Sequence, residues 1–433
     1  MSTRERICVV GTGYLGATHA ACMAELGFEV LGLDVDAAKV ASLSKGQVPF
    51  YEPGLEELLQ KHLDSGRVRF TTSFAEATDF ADIHFVCVGT PQRKDGLGAD
   101  LTYVDDAISA LASHLRPGAL VVGKSTVPVG TAARLAARLE TESASGDVEL
   151  AWNPEFLREG FGIEDTLRPD RLVFGVRGAR AEQRLREVYA TAIAGGTPVV
   201  VTDYPTAEMV KVAANAFLAT KISFINAMAE MCEAAGADVV QLADALGHDQ
   251  RIGRRFLNAG IGFGGGCLPK DIRAFIARAG ELGASEALTF LREVDVINMR
   301  RRTRVVELTK ELAGGSLLGM RVAVLGAAFK PDSDDIRDSP ALNVAGQIQL
   351  QGAAVTVYDP KAMGNASTLF PTLRYAESAQ EACERADVVL HLTEWREFRE
   401  LDPRALAEIV AAPRIIDGRN VLDAVAWRAA GWT

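Results

Sequence analysis

The sequence predicts an α/β fold with two parallel-sheet domains joined by a central region of long helices. In the first third of the chain, short apolar runs alternate with helix-like stretches, which is the pattern of β–α–β units. The middle has long helical runs with few strand candidates, and the last third returns to the alternation. A length of 433 residues accommodates about three domains of ~150 residues. We predict the domains 1–202, 203–313 and 314–433.

Composition excludes several classes of protein. With 46 Lys and Arg against 57 Asp and Glu, the net charge is -11, which argues against a broad nucleic-acid-binding surface. The six cysteines form no Cys-x-x-Cys motif and the six histidines lack metal-ligand spacing, so we predict reduced thiols and no metal. The first apolar run, Ile7–Val10, is too short for a signal sequence, and no run of about 18 uninterrupted apolar residues suggests a membrane span. We therefore predict a cytoplasmic protein that binds neither nucleic acid nor membrane.

The secondary-structure prediction follows the apolar runs. Long helices are predicted at Ala207–Ala235 and Glu286–Leu312, and Gly314-Gly315 marks a boundary after the second. Strands are predicted at Ile7–Val10, Glu29–Leu33, Ile83–Val88 and Leu120–Gly123.

The last third of the chain echoes the first. Ile7–Gly11 resembles Val322–Gly326, a strand that ends in glycine. The strand ending at Asp34 resembles the strand ending at Asp359. Two related nucleotide-binding folds around a helical middle explain these matches most simply; the alternative is one large sheet with coincidental similarity.

A glycine-rich motif follows the first strand. In Gly11-Thr-Gly13-Tyr-Leu-Gly16, Gly11 permits a tight turn, Gly13 admits a pyrophosphate, and Gly16 lets the helix pack on the strand. Asp34 ends the second strand, where a carboxylate binds the adenosine ribose and repels a 2′-phosphate. This context predicts a Rossmann-like NAD site with little use of NADP; a flavin site or a non-binding unit is the alternative.

A second candidate site surrounds a cysteine. Five glycines in Gly260–Gly266 precede Cys267, and Pro269 suits the first turn of a following helix. A helix N-terminus favours a thiolate, and Lys270 adds positive charge, so we predict that Cys267 is a nucleophile. The alternative is a flexible loop with an incidental cysteine. The other five cysteines are predicted to pack in cores.

Lys211 and Asn215 are four residues apart in a predicted helix, so they share a face. Their neighbours are mostly apolar, and burying an unpaired lysine is costly. Together the two side chains are able to hold a reacting oxygen, although a solvated polar stripe fits the spacing equally well.

Further polar residues remain ambiguous from spacing alone. Glu155 and Glu159 are a pair suited to base chemistry, but four-residue spacing more often marks a helix surface. Ser125-Thr126 suits a helix cap. Lys330 and Arg337 suit the phosphates of a second nucleotide, or else a salt-bridged surface.

Taken together, these motifs resemble those of the UDP-glucose/GDP-mannose dehydrogenase family, in the same order and over nearly the whole chain. The matching stretches are Gly11-Thr-Gly-Tyr-Leu-Gly16, Gly89-Thr-Pro91, Ser125-Thr-Val-Pro128, Asn153-Pro-Glu-Phe-Leu-Arg-Glu-Gly160, Lys211-Val-Ala-Ala-Asn-Ala-Phe217, Asp249-Gln-Arg-Ile-Gly253, Gly262-Phe-Gly-Gly-Gly-Cys-Leu-Pro-Lys-Asp271 and Ala328-Phe-Lys330.

The resemblance implies an N-terminal NAD-binding Rossmann domain, a central long helix and a C-terminal domain for the nucleotide-sugar. It also implies oxidation of a sugar C6 alcohol to a carboxylate with two NAD⁺. The long apolar helices in the middle of the chain predict at least a homodimer. The stretches Pro154–Gly160 and Arg168–Arg171 favour UDP-glucose as substrate. GDP-mannose or UDP-N-acetylmannosamine is the alternative substrate, and a nucleotide-sugar-binding protein without catalysis is the alternative class.

The resemblance also assigns residues. The implied catalytic residues are Cys267, Lys211, Asn215, Asp271, Glu155 and Thr126. The implied cofactor contacts are Gly11, Gly13, Gly16, Asp34, Lys39, Thr90, Thr126, Glu159, Lys270 and Arg337. The implied substrate contacts are Glu155, Phe156, Leu157, Arg158, Glu159, Lys211, Asn215, Arg251, Phe256, Leu257, Asn258, Ala259, Gly260, Gly264, Lys330 and Arg419, of which Arg251 matches an arginine supplied by a neighbouring subunit.

Two positions depart from the family pattern. Gly266 stands where the family usually has serine before the cysteine, so we expect a more flexible loop and one hydroxyl contact fewer. Leu268 replaces a common phenylalanine, which weakens the distinction between UDP-glucose and other nucleotide-sugars.

Overall fold

The structure is a computed structural model that describes residues 5–143 and 145–433, so the first four residues of the predicted domain 1–202 lie outside the described residues. Its internal contacts divide the chain into two compact units. The first unit is Met1–Ala214 with Arg273–Leu282, and the second is Asn215–Ile272 with Gly283–Thr433. The finer boundaries at 202/203 and 313/314 stay predictions.

The described part of the first unit contains an eight-stranded sheet in the order β3-β2-β1-β4-β5-β6-β7-β8. Every neighbouring pair is parallel except β6 and β7, which are antiparallel. The strands are β1 Ile7–Val10, β2 Val30–Leu33, β3 Val68–Thr71, β4 Ile83–Val86, β5 Leu120–Gly123, β6 Glu149–Trp152, β7 Leu172–Gly175 and β8 Val199–Thr202. The helices are α1 Tyr14–Glu25, α2 Ala37–Leu43, α3 Leu55–Asp64, α4 Phe74–Phe80, α5 Thr102–Ala112, α6 Thr131–Glu142, α7 Gly162–Leu167, α8 Ala179–Val188 and α9 Ala190–Ala194.

Both faces of this sheet are covered, which explains why its strands are continuous apolar runs rather than alternating ones. Ile7 and Val9 belong to one buried cluster, and Cys8 and Val10 belong to another. The polar residues therefore gather where strands end: the carboxyl ends of β1, β2, β5 and β6 lead directly into Gly11, Asp34, Lys124 and Asn153. That edge is where ligands bind in open α/β sheets.

Long helices follow the first sheet. They are α10 Tyr204–Ala235, α11 Val239–Gly247, α12 Leu268–Glu281 and α13 Thr289–Leu312, with a short 3₁₀ turn at Ser285–Leu288. By length and composition, α10 alone among the described helices is able to cross a membrane. However, it carries Glu208, Lys211 and Asn226, all of which are buried within the protein.

The second unit contains a five-stranded, wholly parallel sheet in the order β11-β10-β9-β12-β13 within the described residues. Its strands are β9 Arg321–Leu325, β10 Ala354–Tyr358, β11 Arg374–Tyr375, β12 Val388–His391 and β13 Ile415–Asp417. Its helices are α14 Pro340–Leu350, α15 Met363–Leu369, α16 Ala379–Cys383, α17 Arg396–Arg399, α18 Pro403–Ile409 and α19 Ala424–Ala429.

These two sheets confirm the predicted fold class: two Rossmann-like sheets with a long helix between them. The repeat is visible in detail, because Asp34 accepts a hydrogen bond from Thr12 N as Asp359 does from Ala327 N, both at 2.8 Å. Asp359 is nevertheless saturated, since Ala328 N and the Trp395 indole also donate to it at 2.9 and 3.0 Å. The second sheet therefore uses this carboxylate to hold its own loops.

Candidate active site

The glycine motif adopts the geometry that a dinucleotide requires. Gly11 has φ +86°, and a Cβ on Gly16 would lie 1.8 Å from the Gly11 carbonyl oxygen. A Cβ on Gly13, by contrast, would meet nothing within 4 Å. Gly11 and Gly16 thus serve the turn and the helix–strand contact, while the backbone at Gly13 stays open to a ligand at the N-terminus of α1.

Asp34 lies at the edge of this motif in a dense set of hydrogen bonds. Its Oδ2 accepts from Thr12 N at 2.8 Å and from Lys39 Nζ at 2.9 Å, and its Oδ1 accepts from Asp36 N at 3.1 Å. Burial alone would raise the pKa of Asp34, but the hydrogen bonds from Lys39, Thr12 and Asp36 hold it below its ordinary value. The carboxylate is therefore charged at neutral pH, as discrimination against a 2′-phosphate requires.

A cavity of about 550 Å³ borders these residues, and Gly11, Gly13, Asp34 and Lys39 line it. This volume and the open backbone at Gly13 fit a dinucleotide. Of the further predicted contacts in this unit, Thr90 donates from its Oγ1 to the carbonyl oxygen of Thr126 at 2.8 Å. That bond joins the loops that follow β4 and β5.

The segment that carries Glu155 and Glu159 is a loop after β6, so the predicted helix-surface pattern is wrong here. Its geometry gives Glu155 a partner instead: Oε1 lies 3.0 Å from Lys211 Nζ, with the two side chains 13% and 5% exposed. Lys211 is therefore buried in an ion pair, and the solvated-stripe alternative is wrong. The capping prediction is also wrong, since Gly130 precedes α6 and Ser125 Oγ donates to Val88 O at 2.6 Å.

The other residues of this loop have diverse environments. Leu157 N donates to Glu155 Oε2 at 2.6 Å, and the Phe156 ring lies under the Arg171 guanidinium at 3.7 Å. Arg158 is tied to Asp165 by Nη2–Oδ1 at 2.6 Å and by two further hydrogen bonds to Oδ2, from its Nε and its backbone N. The Phe156 ring centroid also lies 5.6 Å from Lys211 Nζ, so Phe156 is beside the ion pair. Arg158 ties the loop to α7.

Sequence reasoning missed Glu52, which holds the far end of the same loop. Its Oε2 accepts from Gly160 N at 2.6 Å and its Oε1 from Gly162 N at 2.7 Å. Tyr14, the residue after Gly13, donates its hydroxyl to Glu52 as well. A single buried carboxylate thus links the dinucleotide motif to the end of the loop that carries Glu159.

In the second unit, Asn215, Asp271 and Lys270 form a connected network. Asn215 Nδ2 donates to Asp271 Oδ2 at 2.6 Å, and Lys270 Nζ lies 2.5 Å from Asp271 Oδ1. Asn215 and Asp271 are 7% and 2% exposed, so this is an interior network rather than a surface one. The hydrogen bond to the Asp271 carboxylate fixes the orientation of the Asn215 side-chain amide.

Cys267 lies immediately before α12, and its carbonyl oxygen accepts from Asp271 N at 2.9 Å, which closes the first turn of the helix. All six cysteines are thiols; Cys267 is exposed and the other five are buried, as the sequence predicts. Burial raises the pKa of Cys87 and Cys383 to about 12, so those thiols stay protonated and inert. The position of Cys267 is the one that favours a thiolate.

The glycine-rich loop before Cys267 is closely packed, which argues against the flexible loop of the alternative, while the role of Cys267 stays a prediction. Phe263 N donates to Asn298 Oδ1 at 2.7 Å, and its carbonyl oxygen accepts from Asn298 Nδ2 at 3.0 Å and from Arg302 Nη2 at 3.1 Å. A Cβ on Gly264 would lie 2.3 Å from the Asp338 carbonyl oxygen. The glycines therefore admit close neighbours.

Gly266 has a structural partner. A Cβ there would lie 2.1 Å from Arg337 Cζ. Arg337 is in turn held by Asp335, whose Oδ2 accepts from Arg337 Nη2 at 2.7 Å and from Gly266 N at 3.2 Å. The absent serine side chain thus leaves space that the Arg337 guanidinium fills, and the expected gain in loop flexibility is not what the contacts indicate.

Part of the predicted substrate set of this unit lies around Gly260 and Arg419. Gly260 N donates to Asn226 Oδ1 at 2.8 Å, and a Cβ on Gly260 would lie 3.5 Å from Arg419 Cδ. Arg419 Nη2 donates to the Phe329 carbonyl oxygen at 3.2 Å, next to Lys330. The segment that comprises Phe256, Leu257, Asn258, Ala259 and Gly260 thus lies beside the loop of Arg419.

Phe256 and Arg251 have very different environments. Phe256 has φ 66°, a left-handed backbone that is strained for an aromatic residue and typical of ligand-binding segments. Arg251 is not part of the cluster: its side chain is 89% exposed and pairs with Asp249 at 2.6 Å. The structure therefore leaves Arg251 on the surface.

Comparison with known proteins shows the family of the chain. Three models of the UDP-glucose/GDP-mannose dehydrogenase family match: the NAD binding domain at residues 5–193, the central domain at 205–300 and the UDP binding domain at 323–424. A UDP-glucose 6-dehydrogenase of Rhizobium meliloti is 42% identical over 96% of this chain and 95% of its own length. The predicted NAD cofactor is thus confirmed at the level of the domain.

Solved structures are similar as well. A UDP-glucose dehydrogenase of Pyrobaculum islandicum superposes with a TM-score of 0.91 at 39% identity, covering 100% of this chain and 99% of that one. A UDP-D-ManNAc dehydrogenase of Pyrococcus horikoshii has a TM-score of 0.85 at 28% identity and covers 97% of this chain and 96% of that one. The matched domains, in this order and over this length, show that the chain belongs to the UDP-glucose/GDP-mannose dehydrogenase family.

Proposed function

We propose that the chain catalyses the NAD-dependent, four-electron oxidation of UDP-glucose to UDP-glucuronate through a thiohemiacetal and a thioester at Cys267. One observation carries this proposal: Cys267 is the exposed cysteine of the six, at the start of α12, one helical turn before the buried carboxylate of Asp271. A simple alcohol dehydrogenase has no use for a nucleophile at this position.

In the first unit, NAD⁺ would be held by Gly11, Gly13, Gly16, Asp34, Lys39 and Thr90. Thr126, Glu159, Lys270 and Arg337 are the further cofactor contacts that the family resemblance suggests. Bound NAD⁺ supplies the hydride acceptor for both oxidations. The residues of the chain provide the remaining chemistry.

In the first oxidation the C6 alcohol loses a hydride and a proton and becomes an aldehyde. Lys211 and Asn215, one turn apart on α10, stabilise the developing oxyanion by charge and by an amide N–H. The Glu155 carboxylate orients the Lys211 amine through their ion pair, and the Asp271–Asn215 bond orients the amide.

In the second oxidation the Cys267 thiolate adds to the aldehyde carbon, and the resulting thiohemiacetal carbon loses the second hydride. The product is a thioester, which remains on the enzyme. Covalent capture explains how the intermediate aldehyde is retained between the two steps.

Hydrolysis releases the product. Water adds to the thioester carbonyl, the C–S bond breaks, and the Cys267 thiolate leaves. Glu155 takes the proton from the water as general base, while Thr126 and Asp271 help to position the water or move protons. In sum, one alcohol, two NAD⁺ and one water give one carboxylate, two NADH and three protons.

UDP-glucose is the proposed substrate because the chain carries the UDP binding domain of its family and because greater likeness is found to a UDP-glucose dehydrogenase than to a UDP-D-ManNAc dehydrogenase. The proposed sugar-nucleotide site comprises Phe256–Gly260, Gly264, Lys330 and Arg419. In the first unit, Glu155–Glu159 is the further substrate-binding segment that the family resemblance suggests.

We propose further that the enzyme is at least a homodimer and is cytoplasmic. Phe217, Phe224 and Met231 recur every seven residues on α10 and are 67%, 48% and 61% exposed, an apolar stripe suited to a second copy of the same helix. The exposed Arg251 is then available to the site of a neighbouring subunit. The reduced cysteines support the compartment.

The test is a panel of UDP-glucose, GDP-mannose and UDP-N-acetylmannosamine with NAD⁺, followed by NADH absorbance. We expect the highest kcat/KM with UDP-glucose. Cys267→Ala should abolish acid formation, whereas Cys232→Ala, at a buried cysteine, is the control that should retain it. Binding of NAD⁺ and UDP-glucose without any NADH would establish the non-catalytic alternative instead.

A further inference from the structure

A buried lysine that sequence reasoning did not single out lies behind the Glu155 loop. Lys124 follows β5 directly and is 6% exposed. Its Nζ donates to Asn153 Oδ1 at 2.9 Å, to the Asn153 carbonyl oxygen at 3.4 Å and to the Tyr189 hydroxyl at 3.1 Å. All three partners are uncharged oxygens, so burying this ammonium costs free energy that its contacts recover only in part.

The buried Lys124 ammonium holds Asn153, and Asn153 in turn connects neighbouring strands. Asn153 N donates to the Gly123 carbonyl oxygen at 2.8 Å, and its Nδ2 donates to the Val173 carbonyl oxygen at 3.0 Å. The Tyr189 hydroxyl donates to Asn153 Oδ1 at 2.6 Å. The cluster of Lys124, Asn153 and Tyr189 therefore fixes the backbone two residues before Glu155 and joins β5, β6 and β7.

The same cluster is close to Glu155 itself. Lys124, Asn153, Tyr189 and Glu155 all line one small cavity of about 40 Å³. Burial lowers the pKa of Lys124 to about 8. The charges of Cys87 and Glu155 oppose this shift, and the charge of Lys211 adds to it.

Four further titratable groups line the same cavity: His19, Asp165, Asp170 and Arg171. Burial first, and then the charge of Lys124, lower the pKa of His19 well below its ordinary value, so the imidazole is neutral. Lys124 is thus the cation of this interior cluster and lies within electrostatic reach of the Lys211–Glu155 pair.

We propose that Lys124, together with Tyr189, is a positioning residue for the hydrolysis step: it holds the Asn153–Glu155 segment so that the Glu155 carboxylate is in place to take the proton from the attacking water. This inference rests on the proposed function. We expect its effect to fall mainly on hydrolysis, because the hydrogen bonds of the cluster fix the backbone that leads to Glu155, and Lys211 reaches the cluster indirectly, through its ion pair with Glu155.

The most conservative variant is Tyr189→Phe, which removes one hydroxyl without changing the packing volume. Tyr204→Phe is its matched control, because Tyr204 is also buried and donates its hydroxyl to the Leu150 carbonyl oxygen on β6 at 2.6 Å. Lys124→Met is the second variant, which removes the charge but keeps a linear side chain. Each is mixed with UDP-glucose and NAD⁺, and the reaction is followed by stopped-flow NADH absorbance and by quenched-flow mass spectrometry of the intact chain.

We expect Tyr189→Phe and Lys124→Met to form NADH in a rapid burst and then to turn over on the order of 10- to 100-fold more slowly than wild type, since small misplacements near reacting groups cost that much. The mass of an acyl group on Cys267 should accumulate, and the KM for UDP-glucose should stay within about two-fold. Tyr204→Phe should behave like wild type.

Unchanged turnover in both variants, or equal slowing of the burst and the steady state without an adduct, would overturn the positioning role. An effect of Tyr204→Phe as large as that of Tyr189→Phe would also overturn it. If wild type itself forms no UDP-glucuronate, the proposed function fails, and that result is distinct from the others.

Discussion

Separating Lys211 from Glu155 should reveal different roles for two residues that form one ion pair. The perturbations are Lys211→Met, Glu155→Gln and the double variant. The pair joins Nζ and Oε1 at 3.0 Å between side chains that are 5% and 13% exposed. Neither group is at the surface, so each single variant leaves an uncompensated or poorly compensated polar group inside the protein.

The magnitudes follow from that geometry. Two unit charges at 3.0 Å attract by about 5 kcal/mol at an effective dielectric constant of about 20. Desolvation offsets much of that gain, and removal of one partner from a buried pair typically costs about 3–5 kcal/mol. Loss of a preorganised oxyanion donor slows chemistry by about 10²–10³.

Lys211→Met should therefore slow the first burst of NADH by about 10²–10³, because both oxidations need the oxyanion donor. Glu155→Gln should preserve more of the burst and should slow the steady state, because the proposed base acts after both hydrides have left. The double variant should lose less thermal stability than the sum of the single variants, since no lone charge remains.

Stopped-flow absorbance and thermal unfolding midpoints measure these effects. Arg300→Met is the control. Arg300 on α13 pairs with Glu230 on α10, the helix that carries Lys211, at 3.0 Å, but its side chain is 49% exposed. Exposed ion pairs of that kind contribute about 0.2–1 kcal/mol to stability. Identical kinetic traces for Lys211→Met and Glu155→Gln, or strictly additive losses of stability, would refute the reasoning.

Three further outcomes are expected. Asp34→Asn should raise the use of NADP⁺. In the wild type, the preference for NAD⁺ over NADP⁺ should stay constant between about pH 5 and 9, because the pKa of Asp34 lies below its ordinary value. A preference that fades at pH 5 would argue against this carboxylate. Gly266→Ser should raise the KM for NAD⁺ more than it lowers kcat, since its Cβ would lie 2.1 Å from Arg337 Cζ, and an unchanged KM for NAD⁺ would contradict that contact. Phe217→Asp should dissociate the proposed dimer in light scattering, and a monomeric wild type would refute the dimer.

Much of the fold was predictable from local sequence. Strands β1 and β5 have the predicted bounds Ile7–Val10 and Leu120–Gly123, because four-residue apolar runs that are buried on both faces leave little ambiguity. The glycine motif and Asp34 were also predictable, because they lie within about 25 residues of each other and are joined by one β–α–β unit. The antiparallel step between β6 and β7 was not predictable, because strand direction across a sheet is set by tertiary packing.

The candidate site was predictable where a residue type is costly without a function. Lys211 on an apolar helix face is such a case: its burial beside Glu155 excludes the solvated stripe, and its catalytic role stays a prediction. Glu52 and Lys124 were not found, because their partners are 108 and 29 residues away and no short motif joins them. The Glu155 loop was misread because spacing alone does not distinguish a helix from an extended segment.

The most direct test of the central claim is the number of NADH molecules formed per UDP-glucose at completion, with an aldehyde trap present. The account predicts two NADH per sugar and no trapped aldehyde in the wild type. Cys267→Ser should keep NAD⁺ and UDP-glucose binding yet form little uronate, because a serine hydroxyl is a weaker nucleophile. One NADH per sugar, free aldehyde from the wild type, or full acid formation by Cys267→Ser would contradict the proposed mechanism.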